Sequence, residues 1–201
     1  MGVNRRFAIT GGIGSGKSYV ASLLRDLKFP VFDCDTSAKE IMSQNVQLQC
    51  RLSKLIGKSV LLPNGTLDKS AIAEYLFRSD DNQFNVNSLV HPLVEEAFEL
   101  WTNQFDSQTS WIGMESSILF ESGFDVLVDF IITVFAPESL RLNRVVRRDG
   151  VTVEQVKERM SRQLSEEKKM ERSQFIIYND GQHDISSQLD NLLNIFYSWE
   201  K

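Results

Sequence analysis

Phe7-Ala8-Ile9-Thr10-Gly11-Gly12-Ile13-Gly14-Ser15-Gly16-Lys17-Ser18 is the stretch that decides the fold. Its first four residues read as a short buried strand that runs into glycines. The next eight fit the pattern G-x-x-x-x-G-K-S/T. After Lys17 the period changes: Val20, Leu23, Leu24 and Leu27 fall at i, i+3, i+4 and i+7, one face of a helix. Strand, glycine loop and helix together are the context this pattern requires. Glycines let such a loop curl so that its N–H groups point at phosphate oxygens, and the helix N-terminus adds a favourable dipole. Gly12, Ile13, Gly14, Ser15 and Gly16 would form the cradle, Lys17 would reach the β- and γ-phosphates, and Ser18 would ligate Mg²⁺. The stretch predicts nucleoside triphosphate binding and leaves the reaction open.

Outward from the loop, Pro30-Val31-Phe32 reads as a second strand, so the chain opens as an α/β fold with a parallel sheet. From about Ala38 to Gln104 the periodicity is helical. Leu48, Leu52, Leu55 and Ile56 form a stripe that stops at Gly57, and Pro63-Asn64-Gly65 is a turn. Asp68 is placed to cap a helix through Phe77. Asp80-Asp81-Asn82 reads as a break, and Pro92 as the first turn of a further helix carrying Val94, Phe98 and Trp101. Val60-Leu61-Leu62 is the one strand candidate there. Strands return at Trp111–Met114, Val128–Phe135 and Phe175–Tyr178. Between the last two lie a helix from Glu138 to Arg148 and one capped by Thr152, with Gln155 at capping-box spacing. A last helix carries Ile185, Leu189, Leu192, Leu193 and Phe196.

Twenty-two basic against 27 acidic residues give a net charge of −5 over 201 residues, which argues against a protein that coats nucleic acid or an anionic membrane. No apolar stretch reaches the roughly 18–20 residues of a membrane span. Two isolated cysteines, Cys34 and Cys50, form no zinc pattern. Without a secretory leader they fit a reducing, cytoplasmic setting.

The remaining chemistry sits at strand ends and in one basic segment. Asp33 and Asp35 follow the second strand, where an open α/β sheet lines its ligand crevice. They suit proton acceptance or Mg²⁺ binding, or Asp35 simply caps the next helix. Glu115 follows the third strand as a further metal-organising candidate. Glu121 has an equal claim to an exposed helix face. Segment 138–172 nets +3 while the rest of the chain nets −8. Within it Arg141, Arg144 and Arg148 share a helical face, and guanidinium forks suit phosphate oxygens. Such a charge run is either a solvated face or, downstream of a phosphate loop, a closing lid.

These pieces together resemble the dephospho-CoA kinase family. The likeness rests on Thr10 to Ser18, Val31-Phe32-Asp33-Cys34-Asp35, Asn64 to Asp68, His91-Pro92, Leu119-Phe120-Glu121, Arg144 with Arg148-Asp149-Gly150, Arg159 with Gln163, and Asn179-Asp180-Gly181. The resemblance implies ATP-dependent phosphorylation of the ribose 3′-hydroxyl of dephospho-CoA, with ATP as donor and Mg²⁺ as cofactor. It implies a P-loop kinase core over 1–37, 105–137 and 173–201, a helical insertion at 38–104 that binds dephospho-CoA, and a lid at 138–172. Asp35 then corresponds to the general base, and Lys17, Arg144 and Arg148 to the groups that meet phosphoryl charge. Asn179 lies near adenine. Asp33, Lys39 and His91 face the acceptor, with Asp33 and Asp35 beside the metal. No nucleic acid or membrane partner is implied, and a monomer or weak homo-oligomer is expected. Lys39 stands where the family carries Arg, Ser117 where it carries Pro, and Arg141 where it carries Gln.

Two other readings of the loop are a GTPase-like switch and a non-catalytic nucleotide-binding module. No N-K-x-D guanine-reading motif follows any strand, and retention of Lys17, Ser18, Asp33 and Asp35 weighs against the module.

Overall fold

The structure is a computed structural model and describes residues 4–106 and 109–199. The outer ends of the expected core, residues 1–3 and 200–201, lie outside the described residues. The chain divides into two compact units, one formed by the residues up to Asp33 and from Gln104 onward, the other by Cys34–Asn103.

The first unit is built on five parallel strands: β1 (Arg5–Thr10), β2 (Val31–Asp33), β3 (Trp111–Glu115), β4 (Phe130–Phe135) and β5 (Phe175–Tyr178). Their order across the sheet is β2-β3-β1-β4-β5. Near-continuous apolar strands are what a sheet covered on both faces demands: β3 is buried throughout, β4 up to its last residue, and β1 from Phe7 to Thr10. Helix α1 (Lys17–Asp26) packs Val20, Ala21 and Leu24 into the core, while Leu27, expected on that face, caps the helix and is 45% exposed. The final helix α9 (Ile185–Trp199) buries Leu189, Leu192 and Phe196. Phe196 stacks on Trp111 with ring centroids 4.2 Å apart, and the Trp111 indole N–H donates to the Phe196 carbonyl at 3.3 Å.

Segment 138–172 belongs to the same unit and forms α6 (Glu138–Asp149), α7 (Val153–Ser161) and α8 (Glu166–Glu171). Gly150 ends α6 in the left-handed region, and Thr152 and Gln155 close the expected capping box on α7. Helix α8 was not legible from periodicity: six residues are too short to show it.

The second unit is helical: α2 (Cys34–Gln44), α3 (Val46–Ile56), α4 (Lys69–Arg78) and α5 (Asp80–Thr102). Asp68 caps α4 as expected, its Oδ1 accepting from the Ala71 N–H at 2.9 Å. Val60-Leu61-Leu62 is not a strand; Leu61 makes a single antiparallel bridge to Leu67 around the Asn64–Gly65 turn. Asp80-Asp81-Asn82 does not break the helix but opens the next one. Ser79 caps α5, accepting from the Asn82 N–H at 3.2 Å, and two carboxylates in a first turn favour the helix dipole. Pro92 therefore lies inside a 23-residue helix rather than at its start. Proline removes one N–H donor there, while Val86, Val90, Val94 and Phe98 carry one buried stripe straight past it. Phe98 also stacks on Trp101, with centroids 6.3 Å apart.

Candidate active site

The glycine loop leaves the end of β1, between β3 and β4, where the connections turn to opposite sides of the sheet. That is the switch point at which open α/β sheets bind ligands. Within the loop the Ser15 N–H donates to the Gly12 carbonyl at 3.0 Å. Lys17 opens α1, is buried, and turns its Nζ back toward the Gly12 carbonyl at 3.4 Å. Gly14 has φ of +82°, and a Cβ there would lie 2.6 Å from the Arg141 carbonyl oxygen and 2.9 Å from a Val145 methyl. Only glycine lets α6 seat this close to the loop.

On the β3 side, Ser18 Oγ donates to Glu115 Oε1 at 2.6 Å. Glu115 ends β3, in register with Asp33 at the end of β2. Burial pushes the Glu115 carboxyl above the usual range and Asp33 adds to this, while Ser18, Lys17 and Arg25 oppose it. Its Oε2 is buried with no hydrogen-bond partner among the described residues, as are Thr10 Oγ1, Ser15 Oγ and Glu166 Oε2. All four atoms belong to the loop or to residues lining it. A hydroxyl beside carboxylates, one oxygen unsatisfied, is a fitting set for Mg²⁺, which is held by one or two carboxylates and completed by phosphates and water. Among the described residues no three His, Cys, Asp or Glu side chains form a metal cluster of their own.

On the β4 side, Arg144 clamps the loop. Its Nη1 donates to the Gly14 and Ser15 carbonyls at 3.4 and 3.3 Å, and its Nη2 to the Asn179 carbonyl at 2.9 Å. Asn179, just past β5, closes the arrangement by donating Nδ2 to the Ser15 carbonyl at 2.8 Å. Thus the loop, Arg144 and Asn179 come together. Arg148 does not join them: it is mostly exposed and donates Nε to its neighbour Asp149 at 2.7 Å, which raises its pKa.

Asp35, Lys39 and His91 belong to the second unit. Asp35 is exposed in the first turn of α2 and lies inside the helix, not at its cap. Lys39 is exposed one turn on. His91 is half-buried in the middle of α5, and burial lowers its pKa.

The family model for dephospho-CoA kinase matches residues 6–184. A dephospho-CoA kinase of Bacteroides fragilis is 41% identical over 192 residues, 96% of this chain and 93% of its own. The chain belongs to the dephospho-CoA kinase family. Its fold agrees: a crystal structure of a Thermus thermophilus protein superposes with a TM-score of 0.83 at 28% identity, covering all of both chains. The dephospho-CoA kinase of Campylobacter jejuni has the same fold, with a TM-score of 0.67 at 23% identity over 97% of this chain and 96% of its own. Members of the family use ATP and catalyse the final step of coenzyme A biosynthesis, and this chain is a kinase with the P-loop fold. No helix among the described residues is long and apolar enough to cross a membrane.

Several site residues of this family member escape a reading by residue type. Gln163 accepts the Ile13 N–H on Oε1 at 2.9 Å, so that loop donor is already used. Lys169 is fully buried, donating Nζ to the Ser117 carbonyl at 2.9 Å with Glu121 3.6 Å away; burial lowers its pKa. Glu121 also accepts the Leu164 N–H at 2.6 Å, so it reaches across to the α7–α8 loop. Glu166 lies against Gly12 and Arg141. Glu166 and Lys169 stand among exposed charges of the same kind, and no spacing in the sequence sets them apart; their burial does.

Proposed function

We propose that this chain transfers the γ-phosphoryl group of ATP to the ribose 3′-hydroxyl of dephospho-CoA, giving CoA and ADP. The observation that carries the reading is the convergence of a complete phosphate loop, the Ser18–Glu115 pair and the Arg144–Asn179 clamp at the strand ends, in a chain of this family. Phosphoryl transfer asks a protein mainly to position groups and offset charge.

Gly12 to Ser18 cradle the phosphates, and Lys17 and Arg144 meet the charge of the transferred group. Asn179 borders the adenine. Asp35 accepts the 3′-hydroxyl proton. Asp33, Lys39 and His91 hold the acceptor, on or beside the insertion at 38–104. Segment 138–172 closes as a lid that excludes water, and Arg148 joins the site only by leaving Asp149. Ser18, Asp33 and Asp35 hold Mg²⁺, with Glu115 orienting Ser18; the cation supplies charge neutralisation at the phosphates. The enzyme acts in the cytoplasm as a monomer or weak homo-oligomer, with no nucleic acid or membrane partner.

The test is ADP release from ATP and Mg²⁺ with and without dephospho-CoA, and the mass of the product. ADP formed only with the acceptor, and a product heavier by one phosphoryl group, is expected. Asp35→Asn should lower kcat about 10²–10⁴-fold, the span of a general base. A loss under about threefold removes that role from Asp35.

A further inference from the structure

A cavity of about 410 Å³ is lined by residues of α6, α7, α8 and the turn between the last two, and Arg141, Gln163 and Glu166, which lie against the phosphate loop, are among them. Arg141 and Glu166 both abut Gly12: a Cβ on that glycine would collide with the guanidinium and with the carboxylate. Their side chains are 10% and 7% exposed. Arg141 Nε donates to the Ala136 carbonyl at 3.1 Å, which fixes the guanidinium in place. Its Nη1 stands 4.0 Å from Glu166 Oε1, an ion-pair distance too long for a hydrogen bond. Among the described residues the two terminal nitrogens of Arg141 make no hydrogen bond. Glu166 Oε2 is buried and equally unpartnered. Burial pushes the Glu166 carboxyl up, while Arg141, Lys169, Lys17 and the Gly12 N–H oppose the shift.

Two opposite charges taken out of water are stable together only when their remaining donors and acceptors are filled. Here neither is. The donors turned toward Glu166, a loop N–H and a guanidinium with Lys17 behind them, are the kind a phosphoryl oxygen requires.

We propose that Arg141 is a further phosphate-binding residue of the donor site, and that Glu166 is the resident anion which an incoming triphosphate replaces. The inference rests on the kinase reading above. A phosphoryl group brings more charge and more acceptor oxygens than one carboxylate, so it fills both terminal nitrogens of Arg141. Glu166 is the first residue of α8 and borders the cavity, so rotation of its side chain clears the place. Arg141 thus reaches the phosphates from α6 one turn before Arg144, with its position set before the nucleotide arrives.

The experiment is calorimetric titration of the full chain with ATP and Mg²⁺, without dephospho-CoA. Arg141→Gln should weaken ATP binding about tenfold or more, the worth of a charge-assisted contact. Glu166→Gln should tighten it about threefold or more, because a competing charge is gone. In the double variant the tightening should vanish, since no guanidinium remains to be released. Arg141→Lys keeps the buried charge and loses the fork, and should fall between wild type and Arg141→Gln. A merely structural ion pair gives the opposite sign at Glu166: weaker or unchanged binding there, with wild type binding ATP normally, overturns the proposal. So does a change under about threefold in both Arg141 variants. Wild-type chain that does not bind ATP at all overturns the kinase reading itself, and this inference with it.

Discussion

Alanine at Gly14 tests how tightly the phosphate loop is held against α6. Two penalties apply there, and Gly123 separates them. Gly123 has φ of +76°, close to the +82° of Gly14, yet a Cβ on it would meet nothing within 4 Å. Gly123→Ala therefore carries only the cost of a left-handed alanine, about 1–2 kcal/mol. Gly14→Ala carries that cost and a collision. The new Cβ would sit 2.6 Å from the Arg141 carbonyl oxygen, where ordinary contact begins at 3.4 Å. Backbone cannot rotate away as a side chain can, so α6 must retreat and stretch the 3.3–3.4 Å contacts of Arg144 to the loop carbonyls. Overpacking of this kind costs about 1–3 kcal/mol, for a total of about 2–5 kcal/mol. In a chain of this length each kcal/mol moves Tm by about 2–4 °C. Thermal melts without nucleotide should place Gly14→Ala roughly 10 °C below wild type and Gly123→Ala roughly 4 °C below it. Equal shifts for the two variants would refute the claim that the Arg141 backbone confines the loop.

Arg144 and Arg148 should separate in urea denaturation. Arg144→Ala loses the clamp and should cost about 1–3 kcal/mol, whereas Arg148→Ala loses an exposed pair with its neighbour and should stay within about 0.5 kcal/mol; matching losses would strip the clamp of its role. Asp180 accepts the N–H groups of Gln182 and His183, which pull its carboxyl from an ordinary 3.8 down to about 2. A depressed folded pKa stabilises above the ordinary value, so its contribution should be complete above about pH 4 and fade as pH falls toward 2. A carboxylate titration by NMR with a midpoint near 3.8 would contradict this.

The start of the fold was legible because three local signals agreed there: an apolar run, a glycine loop and a change of period from β1 into α1. Leu27 shows where periodicity stops informing, since a helix can end before its stripe does. Pro92 misled for a related reason. Proline marks helix starts by preference, but the packing of Val90 and Val94 on either side outweighs one missing hydrogen bond. The loop residues were legible from their motif, and Asn179 from resemblance. Glu166 and Lys169 were not, because a charged residue in a charged run is read as solvated. Only three-dimensional burial distinguishes Lys169, fully enclosed, from its exposed neighbour Lys168. Arg148 shares a helical face with Arg141 and Arg144 in sequence, but its place at the C-terminal end of α6, beside Asp149, turns it to solvent.

The three tryptophans are divided between the two units. Trp111 is stacked on Phe196 in the interior of the sheet unit, and Trp101 lies on Phe98 in the helical unit. Trp199, 38% exposed, packs edge-on to Phe130. Indole emission shifts to the red when a ring passes from an apolar interior into water. A chain keeping only Trp111 would therefore glow according to the state of the sheet, and one keeping only Trp101 according to the state of the helices. Denaturation followed in the two variants would show whether the halves come apart at one concentration of urea or at two, without any label added to the protein.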